Sequence, residues 1–506
     1  MIPAERTARA RACARAAKVL LSISFACAFL SLALVSFDIF PYRLAGGFHP
    51  QLPYMISLAG ALCYLASQEW RRHWRRHRVL LIIVGAFLLY GLVSTLLNAS
   101  LRYERNLALF SLLNYLERQV GAMAFLLWFA FLLSSLSERG ARRFFIAGLM
   151  VMFLSNAAHM IPELLANHGA TGIKNFLIDI NHWFRLEKVY WGDWPPPYYE
   201  DRVRGLFGEP AHLAYAFIPL LAFFFYKLRG NIAYAIPLLL VLVSYGGVTP
   251  TGTGILGAGF LVVAFIVHRL HEKLPGRGAA LAAGLALAAV LAVAGTLFSL
   301  RDRLPEYAVQ WRAVDAIADY CRQAQADPSL PPPELEARHF SRFIFRAVST
   351  RLEWDLAWQH PFGVGYQLSG LYRKPLAAFD REDVAEMLRV RHALARDGDV
   401  PVFPYFCEYT AIAAEQGIIG LLLFLLLCLY VGGRAYRRYA ATGDVFILYM
   451  LFALPAFMVT LLSFALRTGL MFPYFLGFLY ALGQFREAEG SPGPGGEKAQ
   501  QRSADA

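Results

Sequence analysis

What most constrains this chain is the arrangement of its apolar residues. They recur in runs of roughly 18 to 25 residues, the length at which an α-helix crosses a hydrocarbon core about 30 Å thick. The runs lie near 16–37, 51–68, 79–97, 119–136, 143–164, 210–227, 231–247, 250–268, 279–299, 405–432, 444–465 and 468–484. Only a helix satisfies its own backbone in lipid over such a length without closing a barrel. Composition agrees: of 506 residues, 57% are hydrophobic and 17% charged. Soluble domains carry about 45–50% and 25%. A disordered chain, a collagen-like chain and a disulfide scaffold are excluded, and a water-soluble enzyme fits poorly. The predicted fold class is all-α, a polytopic membrane protein with about twelve transmembrane helices.

The formal net charge is +12, and the basic residues sit in short connections between runs. Segments 69–78, 138–142, 228–230, 269–278 and 433–443 are basic, whereas 38–50 and 248–249 carry little charge. By the positive-inside rule the basic connections are cytoplasmic, and so are both termini. The basic excess therefore reads as membrane topology, and no nucleic-acid partner is expected. Arg6, Arg9, Arg11, Arg15 and Lys18 precede an apolar stretch from about 19 to 37, and no convincing A-x-A site follows it. That run is expected to be an uncleaved span.

Two connections on the other side are long, 165–209 and 300–404. The second holds Tyr307, Trp311, Tyr320, Trp354, Trp358, Tyr366 and Tyr372, with helical periodicity over 306–325 and 340–358. It is predicted to be an ordered, mostly helical subdomain outside the membrane. The organisation is then helices one to nine over 1–299, including the loop at 165–209. The subdomain follows at 300–404, helices ten to twelve at 405–484, and a disordered cytoplasmic tail at 485–506.

Several motifs have bland readings. Gly252-Thr-Gly254-Ile-Leu-Gly257 matches a dinucleotide fingerprint but opens an apolar run, where small residues permit close helix packing. His73 and His77 have metal-ligand spacing among arginines, and read better as a solvated, headgroup-facing turn. The six cysteines have no zinc spacing. Most read as core residues, with Cys321 and Cys407 the pair able to meet outside the membrane. No metal and no cofactor is expected.

Two stretches look like chemistry. Arg202-Val-Arg204-Gly205-Leu-Phe207-Gly208-Glu209-Pro210-Ala-His212 gathers arginines, a carboxylate and an imidazole beside a span. Pro210 suits the first turn of the next helix, and Glu209 suits its N-cap. Alternatively, the arginines hold an anionic headgroup beside a base. The second stretch is Arg346-x-x-Ser349-Thr350-Arg351-Leu-Glu353-Trp354-Asp355-x-x-Trp358-x-His360-Pro361-Phe-Gly363-Val-Gly365-Tyr366, an amphipathic helix running into a sharp turn. It reads equally as an interfacial helix with a tryptophan belt. Glu408 and then Glu415-Gln-Gly417-Ile-Ile-Gly420 open the apolar run that follows.

In their order, these motifs resemble the O-antigen ligase/polymerase superfamily, bacterial membrane glycosyltransferases of surface-glycan assembly. The resemblance spans about 200–430 and implies a helical periplasmic loop subdomain in a multi-pass protein of the inner membrane. It implies chemistry on the periplasmic face. The partners would be undecaprenyl-diphosphate-linked glycan donor and acceptor and membrane lipids, with a chain-length regulator as a further candidate. Carried over residue by residue, it implicates Arg204 and Arg351 in binding the diphosphate, with Arg202 and Arg346 beside them. Guanidinium forks suit phosphate oxygens and stabilise charge on the leaving group. Glu209 is the first candidate for the base, followed by His360 and His212. Trp354, Trp358 and Tyr366 complete the expected substrate-binding set. Ligases carry a His-Asn pair where this chain reads Phe403-Pro404-Tyr405-Phe406. The expectation is therefore a polymerase of O-antigen, capsule or exopolysaccharide. A ligase acting on lipid A-core or protein, and a transporter or flippase, are the alternatives.

Overall fold

The computed structural model describes residues 2–35, 52–102, 105–184, 205–206, 210–243, 252–273, 305–327, 329–333, 342–370, 372, 407–462 and 470–485. These residues contain helices and turns and no strand. The main helices are α1 Ile2–Ala33, α2 Leu52–Ala66, α3 Arg78–Arg102, α4 Arg105–Asn114, α5 Gly121–Ser134, α6 Glu138–Asn167, α7 Thr171–Phe184 and α8 Pro210–Ala216. They continue with α9 Ile218–Leu228, α10 Ala235–Val243, α11 Gly252–Lys273, α12 Pro305–Ala326, α13 Arg342–Gln359, α14 Glu408–Thr442, α15 Val445–Thr460 and α16 Met471–Leu482. Among the described residues, five segments are long and apolar enough to cross a membrane: Ala12–Ala33, Arg78–Asn98, Ser111–Ser134, Glu138–Ala166 and Glu408–Thr442. The apolar helices at Leu52–Ala66, Ile218–Leu228, Ile232–Leu242, Gly257–Arg269, Val445–Thr460 and Met471–Leu482 are shorter. The run predicted at 279–299 lies outside the described residues.

Helix α16 is apolar on every side and every one of its residues is buried, as expected of a helix enclosed by others. It packs against α5, α6, α14 and α15. Gly477 allows the closest approach, since a Cβ there would stand 2.9 Å from the Leu126 carbonyl oxygen. Phe478 stacks on Phe145 with ring centroids 4.0 Å apart. The Tyr474 hydroxyl shares hydrogen bonds with Ser31, at 2.5 Å, and with Ser57, tying α1 and α2 to the centre. The run predicted at 210–227 is divided between α8 and α9 at Phe217. Pro219, in the first turn of α9, lacks the N–H that would continue α8.

The basic connections meet at one end of the bundle. Arg142 pairs with both Glu138 and Asp444, and Arg438 donates to Glu138 at 3.2 Å. Arg434 donates to the Gln484 side chain at 2.9 Å, and Arg76 to the Gln484 carbonyl. The reading of His77 is corrected here: it is buried, not solvated. Its ring stacks on Phe131 at 4.5 Å and its Nδ1 is 2.9 Å from the Tyr480 hydroxyl. Folding the 74–77 turn onto α5 and α16 buries the imidazole, while its arginine neighbours at 71, 75 and 76 stay on the surface. Among the described residues no cluster has metal-ligand geometry.

Gly252 to Gly257 opens α11, and Gly257 lies against Thr460 and Ile218. At Gly257 the lack of a side chain permits this close packing. Helices α12 and α13 coincide with the periodic stretches 306–325 and 340–358 and pack on each other. All six cysteines are free thiols, Cys321 and Cys407 included.

Two outcomes are expected. Gly477→Ala should lower stability by about 1–3 kcal/mol through overpacking, whereas Gly259→Ala, with nothing within 4 Å, should be neutral or mildly stabilising; thermal unfolding in detergent reads both. Burial pushes the Cys321 thiol up to about 12. Because a raised value removes thiolate near neutrality, Cys321 should resist alkylation at pH 8 until denatured. Exposed Cys13 should react at once, and mass spectrometry distinguishes the two.

Candidate functional site

Opposite the basic end, helix α14 is broken. Gly417 sits at φ 71°, ψ 177° between two helical stretches, a region that only glycine occupies at ease. The break frees backbone groups that an uninterrupted helix would pair, and the turn following α13 pairs them. Val364 N–H donates to the Ala414 carbonyl at 3.0 Å, and Gly365 N–H to the Glu415 carbonyl at 2.9 Å. Ile418 N–H donates to the Pro361 carbonyl at 3.1 Å. The approach is backbone on backbone. A Cβ on Gly363 would lie 2.3 Å from the Glu415 oxygen, and one on Gly417 2.1 Å from the Pro361 oxygen.

Helix α3 closes the joint from the other side. Ser94 Oγ donates to the Phe362 carbonyl at 2.9 Å and Asn98 Nδ2 to the Gly363 carbonyl at 2.9 Å. The Gln416 and Gln119 side-chain amides pair at 2.7 Å, Gln119 lying in the π-helical turn Tyr115–Val120. Such turns often mark functional positions.

Three buried carboxylates lie on the two helices that meet at this joint, Glu415 at the joint itself. Glu353 of α13 is buried and accepts the Thr410 hydroxyl at 2.6 Å. Glu408 and Glu415 are buried on α14. Ser369 Oγ donates to Glu415 Oε1 at 3.3 Å, and Glu408 N–H donates to the Leu461 carbonyl at 2.9 Å.

A second anchor involves the arginine motif. Gly205 N–H donates to Glu163 Oε2 at 2.9 Å, and Leu206 N–H to Asn156 Oδ1 at 3.0 Å. Glu163 and Asn156 are both buried on α6, and His159 Nδ1 lies 3.6 Å from Glu163. Helix α8 begins at Pro210, the first-turn position predicted for that proline. Arg202, Arg204 and Glu209 lie outside the described residues; Gly205 is the described neighbour of Arg204.

The other predicted residues separate into groups. Arg351, Trp354 and Trp358 lie on the exposed face of α13. Arg351 pairs there with Asp315 of α12, and the two indoles meet edge to face at 5.7 Å. Arg346 is exposed on the same helix, and His360 is half-buried with its ring 5.8 Å from Tyr372. His212 is half-buried on α8. Tyr366 is fully buried, with its ring edge-on to Tyr115 at 5.5 Å. Its N–H donates to Thr95 Oγ1 at 3.2 Å and its carbonyl accepts Ser111 Oγ at 2.5 Å. These bonds hold the turn in the bundle.

The sequence reading missed Glu163 with His159 and Asn156. The available signal was an acidic residue inside an apolar run, which is costly unless it has a partner.

Gly417→Ala and Gly363→Ala should each cost more than about 3 kcal/mol, since each joins a strained backbone to a clash with a carbonyl. Gly433→Ala, with open space around it, is the control. Limited proteolysis around 360–370 should accelerate in the first two only. No protein-family model matches this chain and no curated protein matches it.

Proposed function

We propose that this chain is a polytopic membrane glycosyltransferase of the bacterial inner membrane, a polymerase of undecaprenyl-diphosphate-linked oligosaccharide repeats. On this reading it has about twelve spans, both termini are cytoplasmic, and the carboxylate-lined joint faces the periplasm with the 300–404 subdomain over it. The observation that carries the reading is the meeting of two separate motifs. The H-P-F-G-V-G turn seats in the break of E-Q-G-I-I-G, at the end of the bundle away from the basic connections.

The reaction displaces diphosphate from an anomeric carbon by a hydroxyl of the incoming repeat. Arg204 and Arg351 would bind the departing diphosphate and neutralise charge as the C–O bond breaks. Arg351 would exchange its Asp315 partner for phosphate oxygens, and Arg202 and Arg346 would support the pair. Glu209 would take the acceptor proton, with His360 and His212 as the alternative bases. No nucleotide sugar, metal or cofactor enters this scheme.

The absence of a His-Asn pair at 403–406 favours polymerisation over ligation to lipid A-core or protein. A broken helix is also a feature of transporters, where half-helix ends face a substrate. Here the freed backbone groups of the break are bonded to the 361–365 turn, which favours a fixed joint over an open transport site.

The test is the lipid-linked glycan profile of a host strain lacking the chain. Single repeats accumulating on the outer leaflet are expected. Complete polymer left on the lipid would point to a ligase, and repeats trapped on the inner leaflet to transport. Arg204→Ala and Arg351→Ala should each abolish long chains at normal membrane abundance. Full-length polymer from both variants would remove the diphosphate role. Glu209→Gln should be inactive if Glu209 is the base, and active with lower stability if it only caps α8.

A further inference from the structure

The exposed face of α13 continues past the helix end. Trp354, Trp358 and Phe362 follow one another at intervals of four residues and are 40%, 65% and 68% exposed. The opposite face, with Val348, Leu352, Leu356 and Ala357, is buried. An aromatic stripe of this size left on the surface calls for an occupant.

Two independent helices give the depth of this stripe. On α14, the uncharged stretch from Ile418 to Gly433 rises roughly 24 Å at 1.5 Å per residue, close to the ~30 Å hydrocarbon core. Arg434 then marks one edge of the core, and Gly417 marks the other. On α3, Arg78 stands at the basic end, and Ser94 and Asn98 lie roughly 24–30 Å further along. Those two side chains bond the Phe362 and Gly363 carbonyls. Both helices therefore place the 361–363 turn one membrane thickness from the basic end.

The stripe is also continuous with the lipid-facing surface. Phe362 backbone atoms lie against Gly417. Beyond Gly417 the exposed face of α14 runs through Ile419, Leu422, Leu426 and Leu429, and that of α3 includes Leu89, Val93, Leu96 and Leu97. Tryptophan favours the boundary between headgroups and acyl chains, where an apolar ring body and a polar N–H are both accommodated.

We infer that the C-terminal half of α13 lies in the membrane interface, with Trp354, Trp358 and Phe362 inserted among the upper acyl chains. The occupant of the stripe is bilayer lipid. The Arg351–Asp315 pair lies on the same face toward the helix start, at the level of the headgroups. The inference requires a membrane-spanning chain but not the proposed chemistry, so it stands or falls separately from the glycosyltransferase reading.

The test uses the full-length protein in phosphatidylcholine vesicles. Tryptophan emission of the wild type is compared with that of the Trp354→Phe/Trp358→Phe double variant, and the difference signal is the readout. Lipids brominated near the headgroup end of the chain should quench that signal. Lipids brominated near the midplane should quench it less, and aqueous iodide should barely touch it. Strong quenching by iodide with none from either brominated lipid would overturn the inference. So would protection of the signal by added soluble glycan, which would mark a sugar-stacking platform in water. Trp358→Phe alone, altering the more exposed ring, supplies the same comparison if the double variant does not insert.

Discussion

The structure depends on one joint, where the backbone of the 361–365 turn closes the break in α14 at Gly417. A helix in apolar surroundings must keep its N–H and C=O groups paired, because each unpaired group costs several kcal/mol there. Breaking α14 is therefore tolerated only because Pro361, Val364 and Gly365 take over the partners that Ala414, Glu415 and Ile418 lose. Two glycines make the contact sterically possible, and Ser94 and Asn98 fasten the turn from the neighbouring helix. That single contact fixes where α13 ends, and so where Glu353, the tryptophan face and the paired helix α12 stand over the bundle.

From that joint the polarity of the molecule follows. One end is held by Arg142, Arg438, Glu138 and Asp444. The other holds the buried carboxylates Glu353, Glu408 and Glu415. Buried carboxylates are expensive and are retained where hydrogen bonds or function require them. Thr410 and Ser369 supply bonds to two of them. Glu163 plays the corresponding part for the arginine motif, accepting the amide of Gly205 across 42 residues of sequence.

Much of the architecture was legible in the sequence because it rests on periodic signals. Apolar run length gave the positions of α1, α3, α5, α6 and α14, and amphipathic periodicity gave α12 and α13 within a few residues. Pro210 gave the start of α8, because a residue without an N–H suits a first turn. What escaped was local or long-range. Gly417 stands in the E-Q-G-I-I-G motif, but its positive φ leaves no trace in hydropathy. Tyr366 was read with the exposed loop around it, although Thr95, Ser111 and Tyr115, more than 250 residues earlier, draw it into the bundle. His77 was read with its arginine neighbours, and its burial comes from Tyr480 and Phe131. Glu163 was overlooked because its partners, Gly205 and His159, are joined to it only by the fold.

The central claim is that this chain lengthens lipid-linked glycan by itself at the joint-bearing face. The most direct measurement places the purified protein in vesicles with diphosphate-linked single repeats and no nucleotide sugar or divalent metal, and follows products by size. The account predicts a ladder of lengthened lipid-linked chains, with free polyprenyl diphosphate released in step. Repeats that stay single while crossing the bilayer, or that transfer only to an added lipid A-core acceptor, would contradict it.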